Sequence, residues 1–238
     1  QQPADIGLVD TASARAGMPD ASARLLRMMT VSPALSVLDL VPVHTGQTTA
    51  EAVAASMNLV ERAEALGVRR YWFAEHHNMP SVASTSPPVL IAAALGRTEQ
   101  MRLGSGGVML PNHSPLIVAE QFAMLEAMAP GRIDIGLGRA PGSDPVITQL
   151  LRRSGTTSEV EQFPSHIQEI EALTAPDGWT VRFTTGGEYT VRATPQATGA
   201  PEVWLLGSSD YAAQLAAHLG MPYVFSNHFA GRGLDRAL

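Results

Sequence analysis

The 238-residue chain contains no cysteine. This absence excludes thiol nucleophiles, disulfides, iron–sulfur clusters and Cys-ligated zinc. The chain also contains no lysine, since all 16 of its basic residues are arginine. Schiff-base catalysis, pyridoxal phosphate anchoring and a P-loop lysine are therefore excluded as well. Any chemistry must come from histidines, carboxylates, hydroxyls, backbone amides or a bound cofactor.

Long apolar runs are absent too. The longest, Val89 to Leu95, is far shorter than the ~20 residues needed to cross a bilayer. The first thirty residues do not follow the basic and then apolar pattern of a secretory signal. We therefore predict a cytoplasmic protein with no membrane association. The 16 basic residues are outnumbered by 22 acidic ones and are scattered along the chain, which argues against a nucleic-acid partner.

The composition is 45% hydrophobic, enough for a buried core. Ala, Ser, Asp and Arg dominate the start of the chain, so we predict a flexible leader over residues 1–30, with a docking helix over Ala21–Met29 as the alternative. Residues 31–238 are predicted to form one α/β domain, because strand-like and helix-like patterns alternate throughout.

Six buried strands are predicted from apolar, β-branched runs, and helices follow five of them. The first helix begins at Thr48-Thr49-Ala50-Glu51, which has the spacing of a capping box, and ends at Gly67. The fourth helix is predicted over Glu159–Leu173. The strands are predicted at Leu35–Val43, Arg70–Ala74, Met101–Leu110, Arg132–Leu137, Glu202–Leu206 and Tyr223–Ser226.

A β-hairpin is predicted as an insertion after strand four and its helix. Trp179–Thr184 and Glu188–Ala193 alternate polar with apolar residues on either side of Gly186-Gly187, a pattern typical of two antiparallel strands and a tight turn.

Six β–α units fit either a doubly wound sheet or part of a (β/α)8 TIM-type barrel. Polar residues follow the strand ends, which favours the barrel because all those ends meet on one face. They are His44, Glu75-His76-His77, Asn112-His113, Arg139, Ser208-Ser209 and Asn227-His228. The barrel is expected to be truncated, lacking its last two units. A longer parent protein or a partner subunit would then cover the open edges.

Glu75-His76-His77 is the first candidate site. Adjacent residues at a strand end point to opposite sides, so only one of the histidines can face the barrel mouth. Neither His-Glu-x-x-His nor His-x-His spacing is present, and no metal site is predicted. From the residues alone, a single strand-end histidine is more often structural than catalytic.

Three small-residue segments leave two interpretations each. The glycines of Gly104-Ser105-Gly106-Gly107 weaken a strand, so either a flat ligand lies on the main chain or the strand carries a bulge. Gly136–Gly142 almost matches a dinucleotide fingerprint, but its third glycine comes one residue late. We interpret it as a loop whose Arg139 could face the barrel mouth. Leu206–Asp210 suits either phosphate binding or simple helix capping by a serine.

Taken together, four stretches resemble the bacterial luciferase-like flavin monooxygenases. They are YWFAEHHN (Tyr71–Asn78), LGSGGVMLPNHSPLIVAEQ (Leu103–Gln121), PGRIDIGLGRAPGSD (Pro130–Asp144) and VWLLGSSDY (Val203–Tyr211). They occur in the family's order, and the resemblance runs from about Leu35 to the end of the chain. It implies a (β/α)8 barrel that binds FMN, without metal, at the carboxyl ends of its strands.

The resemblance also implies roles for single residues. His76 would lie beside the reactive edge of the flavin, and Gly106-Gly107, joined by a cis peptide, would lie under the ring together with Met109. Leu206, Gly207, Ser208 and Ser209 would contact the ring and the phosphate, and Arg139 would assist at the phosphate. One departure is Ile117, which stands where the luciferase α subunit has a basic residue near the phosphate.

The activity implied is oxidation of an aldehyde-like or other small organic substrate. Reduced FMN, delivered by a separate NAD(P)H:flavin reductase, would react with O2 to a C4a-hydroperoxyflavin that attacks the substrate, and His76 would hydrogen-bond the peroxide or shuttle a proton. Relatives form homodimers, which we expect here. The alternatives are a non-catalytic flavin-binding protein and an F420-dependent oxidoreductase of the same fold. A metal-dependent hydrolase is the least favoured.

Overall fold

A computed structural model of the chain describes residues 33–140, 144–154, 160–227 and 234. The predicted leader over residues 1–30 and the strand-end residue His228 lie outside this part of the chain. The domain boundary at residue 31 therefore stays a prediction.

Strands and helices alternate along the described chain. The strands are β1 Ser36–Asp39, β2 Arg70–Phe73, β3 Arg102–Ser105, β4 Val108–Met109, β5 Ile133–Gly138, β6 Trp179–Arg182, β7 Glu188–Val191, β8 Glu202–Gly207 and β9 Tyr223–Phe225. The α-helices are α1 Thr49–Ala65, α2 Pro87–Leu95, α3 Pro115–Met128, α4 Pro145–Leu151, α5 Phe163–Thr174 and α6 Asp210–Leu219. Short 3₁₀ turns occupy Leu110–Asn112, Arg152–Ser154 and Val160–Gln162.

One parallel sheet organises the fold. Its strands run in the order β1-β2-β3-β5-β8-β9, with β4 also paired to β5. Every pairing in this sheet is parallel, so the carboxyl ends of all the strands lie at the same edge. The sheet is curled as in a half-barrel. The predicted α/β barrel class, with six successive β–α strands, is confirmed.

Alternation along the strands separates two faces of the sheet. Tyr71, Phe73, Leu103, Ile133 and Ile135 are fully buried, and they belong to the main apolar core with residues of the surrounding helices. The side chains between them face the opposite, inner side, as the period of two in a strand requires.

Asp134 anchors a polar cluster on this inner face, near the amino ends of the strands. Its buried carboxylate accepts hydrogen bonds from Arg70 Nε at 3.0 Å, Trp72 Nε1 at 2.9 Å and Arg102 Nε at 2.8 Å. The guanidinium of Arg70 lies 4.6 Å from the ring centroid of Trp204. The cluster therefore joins β2, β3, β5 and β8 at the end of the sheet opposite the strand-end residues described below.

The predicted capping box of the first helix is confirmed. Thr48 Oγ1 accepts from the Glu51 amide at 3.2 Å, and a carboxylate oxygen of Glu51 accepts from the Thr48 amide at 2.8 Å. The Glu51 amide lies in the first helical turn and the Thr48 amide belongs to the N-cap residue, and the helix offers a backbone carbonyl to neither of them.

The predicted hairpin is also confirmed. β6 and β7 pair antiparallel from Trp179↔Val191 to Arg182↔Glu188 and form a separate two-stranded sheet. The hairpin follows α5, and the Ala193 amide donates to Leu173 O at 2.9 Å, so the insertion is attached to the barrel helices by the main chain.

Two predictions of secondary structure were wrong. The strand predicted over Met101–Leu110 is two strands, because the chain breaks at Gly106-Gly107 between β3 and β4. Helix α5 begins at Phe163, later than predicted, and α4 was missed. The missed signal was Asp144 before Pro145. Asp144 caps α4 by accepting from the amides of Val146 at 2.9 Å and Ile147 at 3.1 Å.

In the part of the chain that the structure describes, none of the helices has both the length and the apolar character that a membrane crossing requires.

Candidate functional site at the carboxyl ends of the strands

A cavity of about 530 Å³ opens at the carboxyl ends of β2, β4, β5 and β8. This volume is typical of sites for cofactors and drug-sized molecules. The nine residues to which the family resemblance assigns a role at the flavin all line it: His76, Gly106, Gly107, Met109, Arg139, Leu206, Gly207, Ser208 and Ser209. The structure thus brings together residues that are up to 133 positions apart, because parallel strands deliver their following loops to one edge.

The two adjacent histidines face different surroundings, as predicted. His76 lines the cavity, and its backbone amide is fixed by a 2.9 Å hydrogen bond to Ser84 O. The ring of His77 instead lies with its Nε2 atom 2.7 Å from Glu75 Oε1. Other polar residues near strand ends, His44, Asn112, His113 and Asn227, are not among those that line the cavity.

Glu75 belongs to the first candidate segment, but the sequence indicated no role for its side chain. It lines the cavity, yet it is only 2% exposed. Its Oε1 atom lies 2.7 Å from His77 Nε2 and 2.8 Å from His113 Nε2, and its Oε2 atom accepts from the Met109 amide at 2.9 Å. The available signal was an acidic residue directly after a strand, but its partner His113 is 38 residues away, and no local pattern joins them.

The electrostatics of Glu75 follow from these contacts. Burial by itself raises the pKa of a carboxyl group, but here the hydrogen bonds from His113, His77 and the Met109 amide outweigh it and lower the pKa of Glu75 to about 2. The carboxylate is therefore ionised at neutral pH. An ionised carboxylate only accepts hydrogen bonds, so each of the two imidazoles must carry its hydrogen on Nε2.

The glycine pair lies where the third strand breaks. β3 ends at Ser105, β4 begins at Val108, and the Gly106–Gly107 peptide bond is cis, as the resemblance implied. A Cβ atom on Gly106 would lie 2.5 Å from Leu38 Cδ1, and one on Gly107 would lie 2.7 Å from Gly136 O. Close contacts within the protein therefore account for both glycines. Since both also line the cavity, main chain forms this part of its wall.

Arg139 lies on the β5 side of the cavity. Its guanidinium carbon is 4.1 Å from the ring centroid of Tyr211, which also lines the cavity, so the cation stacks on an aromatic face. Among the described residues, no carboxylate forms an ion pair with Arg139. Arg139 is the one arginine among the residues found to line the cavity.

Ser208 and Ser209 precede α6 and line the same cavity as Arg139. Ser209 is the N-cap residue of this helix, but its side chain makes no capping hydrogen bond. Simple capping therefore does not account for Ser209. The first amides of a helix and a nearby arginine form a favourable environment for an anion. Ile117, by contrast, is 49% exposed on α3 and does not line the cavity.

In the segments with described coordinates, no group of three or more histidine, aspartate or glutamate side chains is arranged to hold a metal ion.

Comparison with known proteins identifies the class. The family described as "Luciferase-like monooxygenase" matches residues 34–237, and the chain belongs to this family. A protein named luciferase-like monooxygenase from Escherichia coli (strain K12) is 47% identical over 206 residues, which are 86% of this chain and 58% of that relative. The chain therefore spans less than two thirds of the relative's length.

Two solved structures are similar to this chain. The crystal structure of apo-MsnO8 is 35% identical, with a TM-score of 0.77 over 87% of this chain and 59% of that one. The oxygenating constituent of 3,6-diketocamphane monooxygenase from Pseudomonas putida, solved in complex with FMN, is 15% identical, with a TM-score of 0.66 over 82% of this chain and 58% of that one. The latter likeness establishes a common fold.

Proposed function

We propose that this chain contains the flavin site of a monooxygenase that uses reduced FMN and O2 to oxidise an aldehyde-like or other small organic substrate. The observation that carries the proposal is the convergence of all nine candidate residues on one cavity, in a chain that belongs to the luciferase-like monooxygenase family. Because the chain spans 58% of its Escherichia coli relative, the proposal concerns the activity of the whole protein.

The cavity suits the two chemically different ends of FMN. Gly106, Gly107 and Met109 offer main chain and a polarisable side chain to a flat ring, and Leu206 adds an apolar contact. At the other end, the guanidinium of Arg139 and the hydroxyls of Ser208 and Ser209 would hold the phosphate. Because position 117 is isoleucine and not a basic residue, the positive charge that binds the phosphate must come mainly from Arg139.

The bound reduced flavin would supply the electrons and the reactivity toward O2. The protein would orient it, exclude water and provide a proton-transferring group. His76 lines the cavity, and an imidazole can both donate and accept a proton near neutral pH. We assign it the role of holding or moving a proton at the reacting edge of the ring. A separate NAD(P)H:flavin reductase, a homodimeric state and a cytoplasmic location belong to the same proposal.

The first test is binding. Titration of the protein with FMN, followed by absorbance and flavin fluorescence, should give one FMN per chain. The second is turnover, in which reduced FMN and O2 are mixed with a medium-chain aldehyde and the carboxylic acid product is measured. We expect His76→Ala to lower the product yield per flavin by roughly 10²-fold or more, as loss of a general acid or base does, while FMN binding changes little. Equal yields from both proteins would remove the role of His76.

The two alternatives predict different results in the same assays. A non-catalytic flavin-binding protein would bind FMN but show no substrate-dependent consumption of O2. An F420-dependent oxidoreductase would bind the deazaflavin in preference to FMN and transfer hydride without consuming O2.

A further inference from the structure

Glu75 lies between two walls of the cavity. It comes two residues after the end of β2 and directly before His76. Across from it, its Oε2 atom accepts from the backbone amide of Met109 in β4 at 2.9 Å. Its Oε1 atom faces the rings of His77 and His113 at 2.7 and 2.8 Å. One carboxylate therefore joins the end of β2, strand β4 and the loop before α3.

The hydrogen-bond donors around the Glu75 carboxylate define its environment. Among the described residues, no arginine forms an ion pair with Glu75, so the groups facing its carboxylate are two imidazoles and one backbone amide. Each of them donates to it, and both carboxylate oxygens are used. A buried, fully satisfied group of this kind fixes the segments that it connects.

We infer that Glu75 is a positioning residue that holds the Gly106–Met109 wall at a fixed distance from His76 and so sets the space available to the flavin ring. The inference rests on the proposed function. It requires the acceptor capacity of the carboxylate on both oxygens, because donors approach it from two sides.

Leucine is the substitution that removes this acceptor. Glutamine would not, because its carbonyl oxygen can accept from the Met109 amide while its NH2 group donates to the Nε2 atoms of two imidazoles that carry their hydrogen on Nδ1. Leucine has no hydrogen-bonding side-chain atom, so the Met109 amide loses its acceptor whichever tautomer the rings adopt, and such a loss is costly. We therefore expect Glu75→Leu to release the β4 wall at a similar side-chain volume.

Glu126→Leu is the matched control. Glu126 is also buried, with 1% exposure, and one of its oxygens accepts from the Gly131 amide at 2.6 Å. It does not line the cavity. This substitution also removes a buried carboxylate from the fold, but at a distance from the proposed flavin.

The first measurement needs no flavin. Amide hydrogen exchange of the 238-residue chain should show a protected Met109 amide in the wild type. In Glu75→Leu, this protection should fall by about tenfold or more, as expected for one lost buried hydrogen bond, whereas Glu126→Leu should leave it unchanged. Unchanged protection of Met109 in Glu75→Leu would overturn the inference, whatever the protein binds.

The second measurement compares FMN with riboflavin, which has the same ring but no phosphate. Glu75→Leu should weaken binding of both by about tenfold or more and by the same factor, because the ring site is common to the two ligands. Wild-type affinity for riboflavin in Glu75→Leu, a loss confined to FMN, or an equal loss in Glu126→Leu would each overturn the inference.

Two further readouts keep the test decisive. If thermal unfolding shows that Glu75→Leu does not fold, His113→Asn removes one donor and leaves the carboxylate and the Met109 bond in place. It should weaken both flavins by a smaller, equal factor, and undiminished riboflavin binding would count against the inference. If the wild type binds neither flavin, the proposed function fails, and hydrogen exchange at Met109 alone decides whether Glu75 positions the wall.

Discussion

At the scale of single residues, main chain and a few side chains together form the wall of the cavity. Gly106 and Gly107 contribute backbone, and Cβ atoms at these positions would collide with Leu38 and Gly136. The charged side chains are placed by contacts that sequence does not display, namely Arg139 by the Tyr211 ring and Glu75 by two imidazoles. The roles of these residues in binding a flavin are proposals, and substituting one residue at a time tests each role separately.

Arg139→Gln should discriminate between the two ends of the proposed ligand. Removing the one arginine found in the cavity lining should weaken FMN binding by roughly 10- to 100-fold, the size of a charge-assisted contact of about 1.5–3 kcal/mol. Riboflavin binding should change by less than about twofold. Fluorescence titrations with both ligands measure the difference, and Arg97→Gln, which alters an exposed ion pair with Glu61, is the control. Equal losses for FMN and riboflavin would place Arg139 away from the phosphate.

At the scale of elements, the helices owe their boundaries to short, local signals. The capping box starts α1, and the first turns of α2, α3, α4 and α5 each contain a proline, where the missing N–H is not needed. These signals act within four residues, and so most of the helices could be predicted. The break between β3 and β4 lies where the chain contacts β1, β2 and β5. The sequence pattern does not display these contacts, and it predicted one continuous strand.

Thr48→Ala should destabilise the protein by about 1 kcal/mol through loss of the first-turn cap. The substitution removes the acceptor for the Glu51 amide and one of the contacts of the Glu51 carboxylate. Urea denaturation measures the change in the free energy of unfolding. Thr49→Ala, at the exposed next position in the first turn of the same helix, should change it by less than about 0.5 kcal/mol. A similar effect from both substitutions would mean that the cap contributes nothing.

At the scale of the whole molecule, one curled sheet determines both stability and the place of the site. The helix-facing side of the sheet holds the apolar core, the amino ends of the strands hold the Asp134 cluster, and the carboxyl ends hold the cavity. This separation allows the loops at one edge to carry polar groups without disturbing the core.

The acid stability of the folded chain should depend on Glu75. Its pKa is about 2 in the folded protein and near the ordinary value of 4.5 when unfolded. The ionised form therefore stabilises the fold above pH 4.5, and this contribution is lost as the pH falls from about 4.5 toward 2. The difference corresponds to roughly 3 kcal/mol.

The measurement is the free energy of unfolding of the wild type and of Glu75→Gln between pH 3 and pH 7. The wild type should keep its advantage over the variant from pH 7 to about pH 4.5 and lose part of it between pH 4.5 and pH 3, because the variant has no carboxyl to protonate at position 75. A difference between the two that does not change with pH would contradict the pKa assigned to Glu75.

The amino-acid sequence by itself limited the possible chemistry and predicted the α/β architecture. The absence of cysteine and lysine excluded whole reaction classes, the strand and helix periods predicted a parallel sheet, and the strand-end residues indicated where a site would lie. Each of these inferences depends on residue type or on spacing over a few positions, which a sequence displays directly.

Only the tertiary structure decided which strand-end residues share the cavity, why two glycines stand at its wall, and what Glu75 contacts. Those facts depend on distances between segments that are far apart along the chain, such as Glu75 and His113 or Gly107 and Gly136. Such distances arise when the sheet curls and brings its strands into register, and no local pattern encodes them.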